Sequence, residues 1–183
     1  MAFRRRPKAP PDPLAVVDPA AAPARFVAVV VDAVEARRRW AAVVAGLREG
    51  PVRERLAVLG EQVDQGVLAV WETVQRAGEV ERVAAGLDAD KVTADYKAAK
   101  RDPAADPALV VALQARFASV QRLLNAVDEV DDRLRLLDAR LGAAVARGAE
   151  VALVAGAGTD ELGRELDEVV SELGALRDSL VAL

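Results

Sequence analysis

Apolar residues recur at alternating steps of three and four along most of this chain, and that period leaves few folds open to it. One seam runs Phe26, Val29, Ala33, Ala36, Trp40, Val43, Leu47. A second runs from Val52 to Leu87, 35 residues in ten steps, and a third from Leu113 to Leu141, 28 residues in eight. The last is the most regular: Leu162, Leu166, Val169, Leu173, Leu176, Leu180, Leu183. A mean step of about 3.5 residues marks helices that pack with a left-handed crossing. No stretch sustains the two-residue alternation of a half-buried strand. The expected class is all-α, an elongated, antiparallel, coiled-coil-like bundle.

Proline sets the boundaries. Six of the nine prolines fall within the first 23 residues (Pro7, Pro10, Pro11, Pro13, Pro19, Pro23), the others being Pro51, Pro103 and Pro107. Proline density of this kind predicts a disordered, extended arm over 1–23 and a single helical domain over 24–183. The first helix is expected over 24–48, ending at the Gly50-Pro51 turn, and the second over 51–86. A short third helix spans 89–100, capped by Asp88. Asp102-Pro103 and Asp106-Pro107 bracket a loop, after which a long helix runs from 107 to about 155. Gly142 and Gly148 leave its continuity open, since each glycine costs a helix interior roughly 1 kcal/mol relative to alanine. Gly156-Ala157-Gly158 breaks the chain, and Thr159 reads as the N-cap of the last helix.

Short connections make 24–86 and 107–182 two helical hairpins joined by the short helix. The second and fourth helices are expected to pair antiparallel along their length. Four helices then meet at one end, and the other end is a thinner stalk of that pair, braced by the third helix.

Reactive chemistry is thin. Cysteine and histidine are absent, which removes Cys/His zinc sites, haem ligation and histidine-activated nucleophiles. Asp128, Glu129, Asp131 and Asp132 form the strongest carboxylate cluster, but Arg133 and Arg135 adjoin it, and di-iron bundles take a histidine from each Glu-x-x-His pair. It reads as a solvated, salt-bridged face. Asp88-Ala89-Asp90 opens like a calcium loop, yet Val92, Thr93 and Ala99 stand where a third ligand, a glycine and a glutamate belong. Gly156-Ala157-Gly158 lacks a P-loop lysine and is followed by Asp160 and Glu161, which repel anions. Ser119, Ser171 and Ser179 have no base at an activating spacing. No enzyme, cofactor, metal or small-molecule substrate is expected.

Charge is uneven. Residues 1–25 carry Arg4, Arg5, Arg6, Lys8 and Arg25 against two aspartates, a net of +3, while 159–183 carry a net of −5. The whole chain has a formal net charge of −4, which argues against nucleic-acid binding as its main role. No charge-free stretch exceeds nine residues (Val151 to Thr159 is one), about half of a bilayer span, and the apolar run after the basic start is too short for an export signal. A cytoplasmic location is expected. Arginine outnumbers lysine 21 to 4 and isoleucine is missing, a residue composition expected of a GC-rich bacterial genome.

Partners are the remaining question. Arg37, Arg38 and Arg39 fan around the first helix, so acids on neighbouring helices are their default partners. Beyond its seam, that helix adds Val27, Val30, Val31, Val34 and Val44, a wide apolar face. It is either sandwiched between helices or covered by a second subunit, and a homodimer through this face is the expectation. Trp40, on the seam, reads first as a core anchor and second as a contact residue. The leading functional reading is a non-enzymatic scaffold or adaptor acting through protein contacts or self-association. One alternative is a peripheral membrane protein, envelope- or stress-related, docking Arg4, Arg5, Arg6 and Lys8 on anionic lipid. Another is a carboxylate-only metal-binding bundle.

Overall fold

The computed structural model describes residues 12–154 and 158–182. Among the described residues every regular element is helical: α1 (Val27–Gly46), α2 (Pro51–Gly86), α3 (Ala89–Arg101), α4 (Pro107–Leu153) and α5 (Thr159–Val181), preceded by 3-10 turns at Pro13–Val16, Pro19–Ala21 and Ala24–Phe26. The class is all-α, and α4 continues unbroken through Gly142 and Gly148. Its 47 residues give it a length of about 70 Å.

Local chemistry explains the ends. Gly50 holds φ at 152°, a conformation that disfavours a side chain, and hands the chain to Pro51 at the first position of α2, where a missing N–H costs nothing. Asp88 takes the left-handed conformation, and its carboxylate accepts from the Lys91 amide at 3.1 Å. Asp106 accepts from the Ala108 amide at 2.9 Å ahead of α4. Thr159 departs from expectation. It is the first residue of α5 rather than its cap, Gly158 (φ 92°) precedes it, and its hydroxyl accepts from Arg55 Nη1 at 3.2 Å.

Cross-helix contacts fix the directions. α1 lies antiparallel to α2, with Arg37 bonded to Asp64 and the Trp40 indole to the Leu56 carbonyl. It runs parallel to the later part of α4, from Arg25 beside Asp128 to Trp40 beside Gly148. α5 is parallel to α2, through Gln62–Asp167 at 2.6 Å and Glu72–Arg177 at 2.5 Å. It is antiparallel to α4, through Arg147–Glu165 and Arg140–Glu172. These four segments make a body whose core holds Leu56, Val63, Leu134, Leu141, Leu166 and Leu173 at 0% exposure. Each such side chain contributes about 1.5–3 kcal/mol through burial. The apolar seams read from sequence form this core. Leu183, at the end of the last, lies outside the described residues.

Two expectations need correcting. The Pro-rich arm is not extended and loose as far as residue 23. Residues 12–23 lie on the body in short turns, with Leu14 buried, Asp12 bonded to Arg37 and Pro23 against Gly78. Aspartates at 12 and 18 cap the turns by accepting from the amides two residues on, so a proline-rich segment acquires fixed shape without any helical period. The stalk, too, has another composition. α2 ends at Gly86, and it is α3 that lies along the first third of α4.

Candidate functional site

Ion pairs in the body sit across helix seams. Arg25 Nη2 donates to Asp128 Oδ1 at 2.9 Å and to Asp131 Oδ2 at 3.2 Å, and Arg135 donates to both oxygens of Asp131 from its own helix. Asp131 is only 6% exposed. Thus the acidic stretch 128–132 is not wholly the solvated face expected: one carboxylate turns inward and is satisfied by two guanidiniums, as a buried charge requires. Glu129 pairs with Arg133 on the surface. Among the described residues no cluster of three acidic side chains has metal-binding geometry. Arg37 grips Asp64 and Asp12 together, tying α1, α2 and the N-terminal turns. The Leu14 amide and Arg37 hold the Asp12 carboxyl below its ordinary range. Arg38 pairs with Glu35 on its own helix.

Among the described residues one half-buried acid has no ion-pair partner. Asp138, half-buried between α4 and α1, is pushed up to about 6 by burial, with the Asp32 carboxylate adding to the rise and Arg39 opposing it. A titrating group at a helix seam makes packing there sensitive to pH.

Trp40 is the hinge pin of the body. At 4% exposure it donates from Nε1 to the Leu56 carbonyl at 3.1 Å. Its ring occupies space that a side chain at Gly60 or Gly148 would need. Gly60, Gly66 and Gly78 lie inside α2, where a glycine taken by itself only weakens a helix. Instead they admit close neighbours: the indole at Gly60, Leu141 at Gly66 and Pro23 at Gly78. Shallow grooves flank this frame. One of about 450 Å³ lies between α1 and α2, lined by Trp40, Val44, Arg53 and Asp64. Another, about 500 Å³, lies between α2 and α5, lined by Trp71, Gln75, Arg76 and Arg177. Arg37 pairs with Asp64 in the first, and Arg177 with Glu72 and Arg76 with Glu79 in the second.

The surface residues expected on α1 are distributed differently. Val30 and Trp40 are buried in the core, Val34 packs against it, Val27 is half-buried, and Val31 is exposed at 40%. Because α1 is packed against both α2 and α4, the sandwich accounts for its wide apolar face without a second subunit. Arg4, Arg5, Arg6 and Lys8 lie outside the described residues, as do Gly156 and Ala157 of the loop before α5.

The stalk leaves apolar surface open, as the body also does at Val58, Leu136 and Leu153. Between Leu87 and Ser119 only Val92 is buried. Tyr96 stacks on Phe117 with ring centroids 5.1 Å apart, and the Lys100 ammonium sits 5.8 Å from the Tyr96 ring. Beyond that contact, Leu109 is 52% exposed and Val111 66%. The fifteen residues from Pro107 to Gln121 include a single charge, Arg116. Sequence reading placed the Leu113 seam here and missed this deficit of charge on the opposite side. A count of charges per helix turn would have found it.

Comparisons of this chain with protein-family models, with curated proteins and with solved structures give no match. No single helix among the described residues is long and apolar enough to cross a membrane.

Proposed function

We propose that this chain is a non-enzymatic helical scaffold or adaptor that works by presenting surfaces to other proteins. One observation carries the reading: a four-helix body, tied by cross-helix ion pairs, holds out a two-helix stalk in which α4 carries a single charge from Pro107 to Gln121 and leaves Leu109 and Val111 exposed. Such a surface resembles the apolar centre of a protein interface more than an ordinary solvated helix face. In the body, several of the charged side chains are engaged in holding helices together, as with Asp131 between Arg25 and Arg135.

The test is affinity capture from the native host with the intact chain and with Val111→Asp, alongside metal analysis and substrate screening of the purified protein. The scaffold reading expects a stoichiometric, specific protein partner or a second copy, no bound metal and no turnover. Bound metal in fixed ratio, or turnover of a substrate lost on mutating a carboxylate cluster, would contradict it.

A further inference from the structure

We infer that the seam between α1 and α4 is a pH-responsive latch: a proton on Asp138, opposite Asp32, lets α1 close on α4, and loss of that proton eases α1 and Trp40 outward. The two helices run parallel, and their register fixes the pairing. Arg25, just ahead of α1, reaches Asp131 of α4 at 3.2 Å. Seven residues further along each chain segment stand Asp32 and Asp138. A matched pair of charges is thus followed, roughly two helical turns on, by two carboxyls. Ala33 and Ala36 of α1 are 0% and 1% exposed. Such small residues let the helix axes approach, and the Asp138 side chain between them is half-buried.

Among the described residues neither Asp32 nor Asp138 has an ion-pair partner, because the nearby cations are engaged. Arg25 bonds Asp128 and Asp131, and Arg135 bonds Asp131. Arg38 pairs with Glu35, and Arg39 Nε donates to the Glu35 carbonyl. On another side of α4, Arg140 and Arg147 bond Glu172 and Glu165 of α5. Burial and the Asp32 carboxylate hold the Asp138 carboxyl up at about 6, with Arg39 opposing them, and no group of α2 or α5 enters that balance. Below this value the neutral carboxyl can donate to Asp32, one proton serving two acids. Above it two like charges meet in a half-buried seam, and hydration relieves both burial and repulsion. α1 is the helix that can give way. Its 20 residues make it the shortest of the four in the body, and Gly46 and Gly50 lie at its C-terminal end. α4 is held by α2, α3 and α5 as well. The latch belongs to the body and stands or falls apart from the scaffold reading.

The chain has no histidine, so no other side chain ordinarily titrates between about pH 5 and 8. It has two tryptophans, Trp40 and Trp71. In Trp71→Phe the emission of Trp40, 4% exposed with its ring against Gly148 of α4, reports the seam. Raising the pH is expected to shift that emission to the red and increase its quenching by acrylamide, with a midpoint near 6. Near-ultraviolet circular dichroism of the unmodified chain should show the same midpoint while the helical signal stays constant. Asp138→Asn should abolish the transition and keep the acid spectrum at every pH. Asp32→Asn should move the midpoint down, and Asp128→Asn, at an exposed acid outside the pair, should leave it in place. Emission and near-ultraviolet signals that stay flat through the window, or a midpoint that survives Asp138→Asn, would overturn the latch. Flat signals accompanied by a pH-dependent stability would show that the proton acts on unfolding alone, which overturns it equally.

Discussion

The body and the stalk are made from the same kind of helix, and α4 runs through both, yet they solve different problems. From Val127 to Val151, α4 has α1 on one side, α5 on another and α2 between them, and its seam residues are buried. There its outward positions carry charge at almost every turn. From Pro107 to Ser119 it has α3 alone, none of its residues is fully buried, and charge nearly disappears. Where neighbours are many, a helix can afford a charged exterior because its apolar stripe is already covered. Where neighbours are few, an uncharged exterior is surface held in reserve. The difference separates the part of the molecule that supplies stability from the part that supplies contact.

Substitution can break that contrast, and the largest effect should come from the body core. Leu166→Ala removes a side chain at 0% exposure and should cost about 2–5 kcal/mol in urea unfolding. Leu109→Ala in the stalk should cost under about 0.5 kcal/mol. Equal losses at the two positions would erase the distinction. Next comes Gly148→Ala, which drives a methyl into the Trp40 ring. Overpacking costs about 1–3 kcal/mol and outweighs the gain in helix propensity. Gly142→Ala on the same helix meets open space and should stabilise by up to about 1 kcal/mol. Opposite signs in thermal melts are the expected result.

The smallest effect concerns pH. In the fold Asp138 titrates at about 6 against an ordinary 3.8, so the native state retains a proton that the unfolded chain has already lost. Its contribution therefore favours the fold below that window and fades as pH rises through it, leaving a penalty above about 6. Discounted for its partial exposure, the penalty is on the order of 1 kcal/mol. Asp138→Asn should accordingly stabilise the body at neutral pH and flatten its stability profile across the window. An unchanged slope would show that Asp138 is solvated like any surface acid.

Much of this architecture was legible in the residues. The seam from Phe26 to Trp40 and that from Leu162 to Leu180 are buried as their spacing requires, and Gly50-Pro51, Asp88 and Pro107 mark real boundaries. Periodicity reveals which side of a helix is buried, but not how many neighbours bury it. For that reason spacing alone could not choose between a sandwich and an interface for α1, and the deficit of charge on α4 went unread. Leu14 was invisible for another reason: one side chain buried by capped proline turns leaves no repeat. Asp131 and Gly148 depend on what stands opposite, Arg25 and Trp40, at separations along the chain that no local pattern encodes.

Amide hydrogen exchange followed by mass spectrometry tests the central division directly. The account predicts slow exchange, near the global unfolding limit, for α5, the first thirty or so residues of α2 and the later part of α4. Amides of α3 and of residues 107–119 should exchange by local opening orders of magnitude faster. Protection as strong in the stalk as in the body would contradict it.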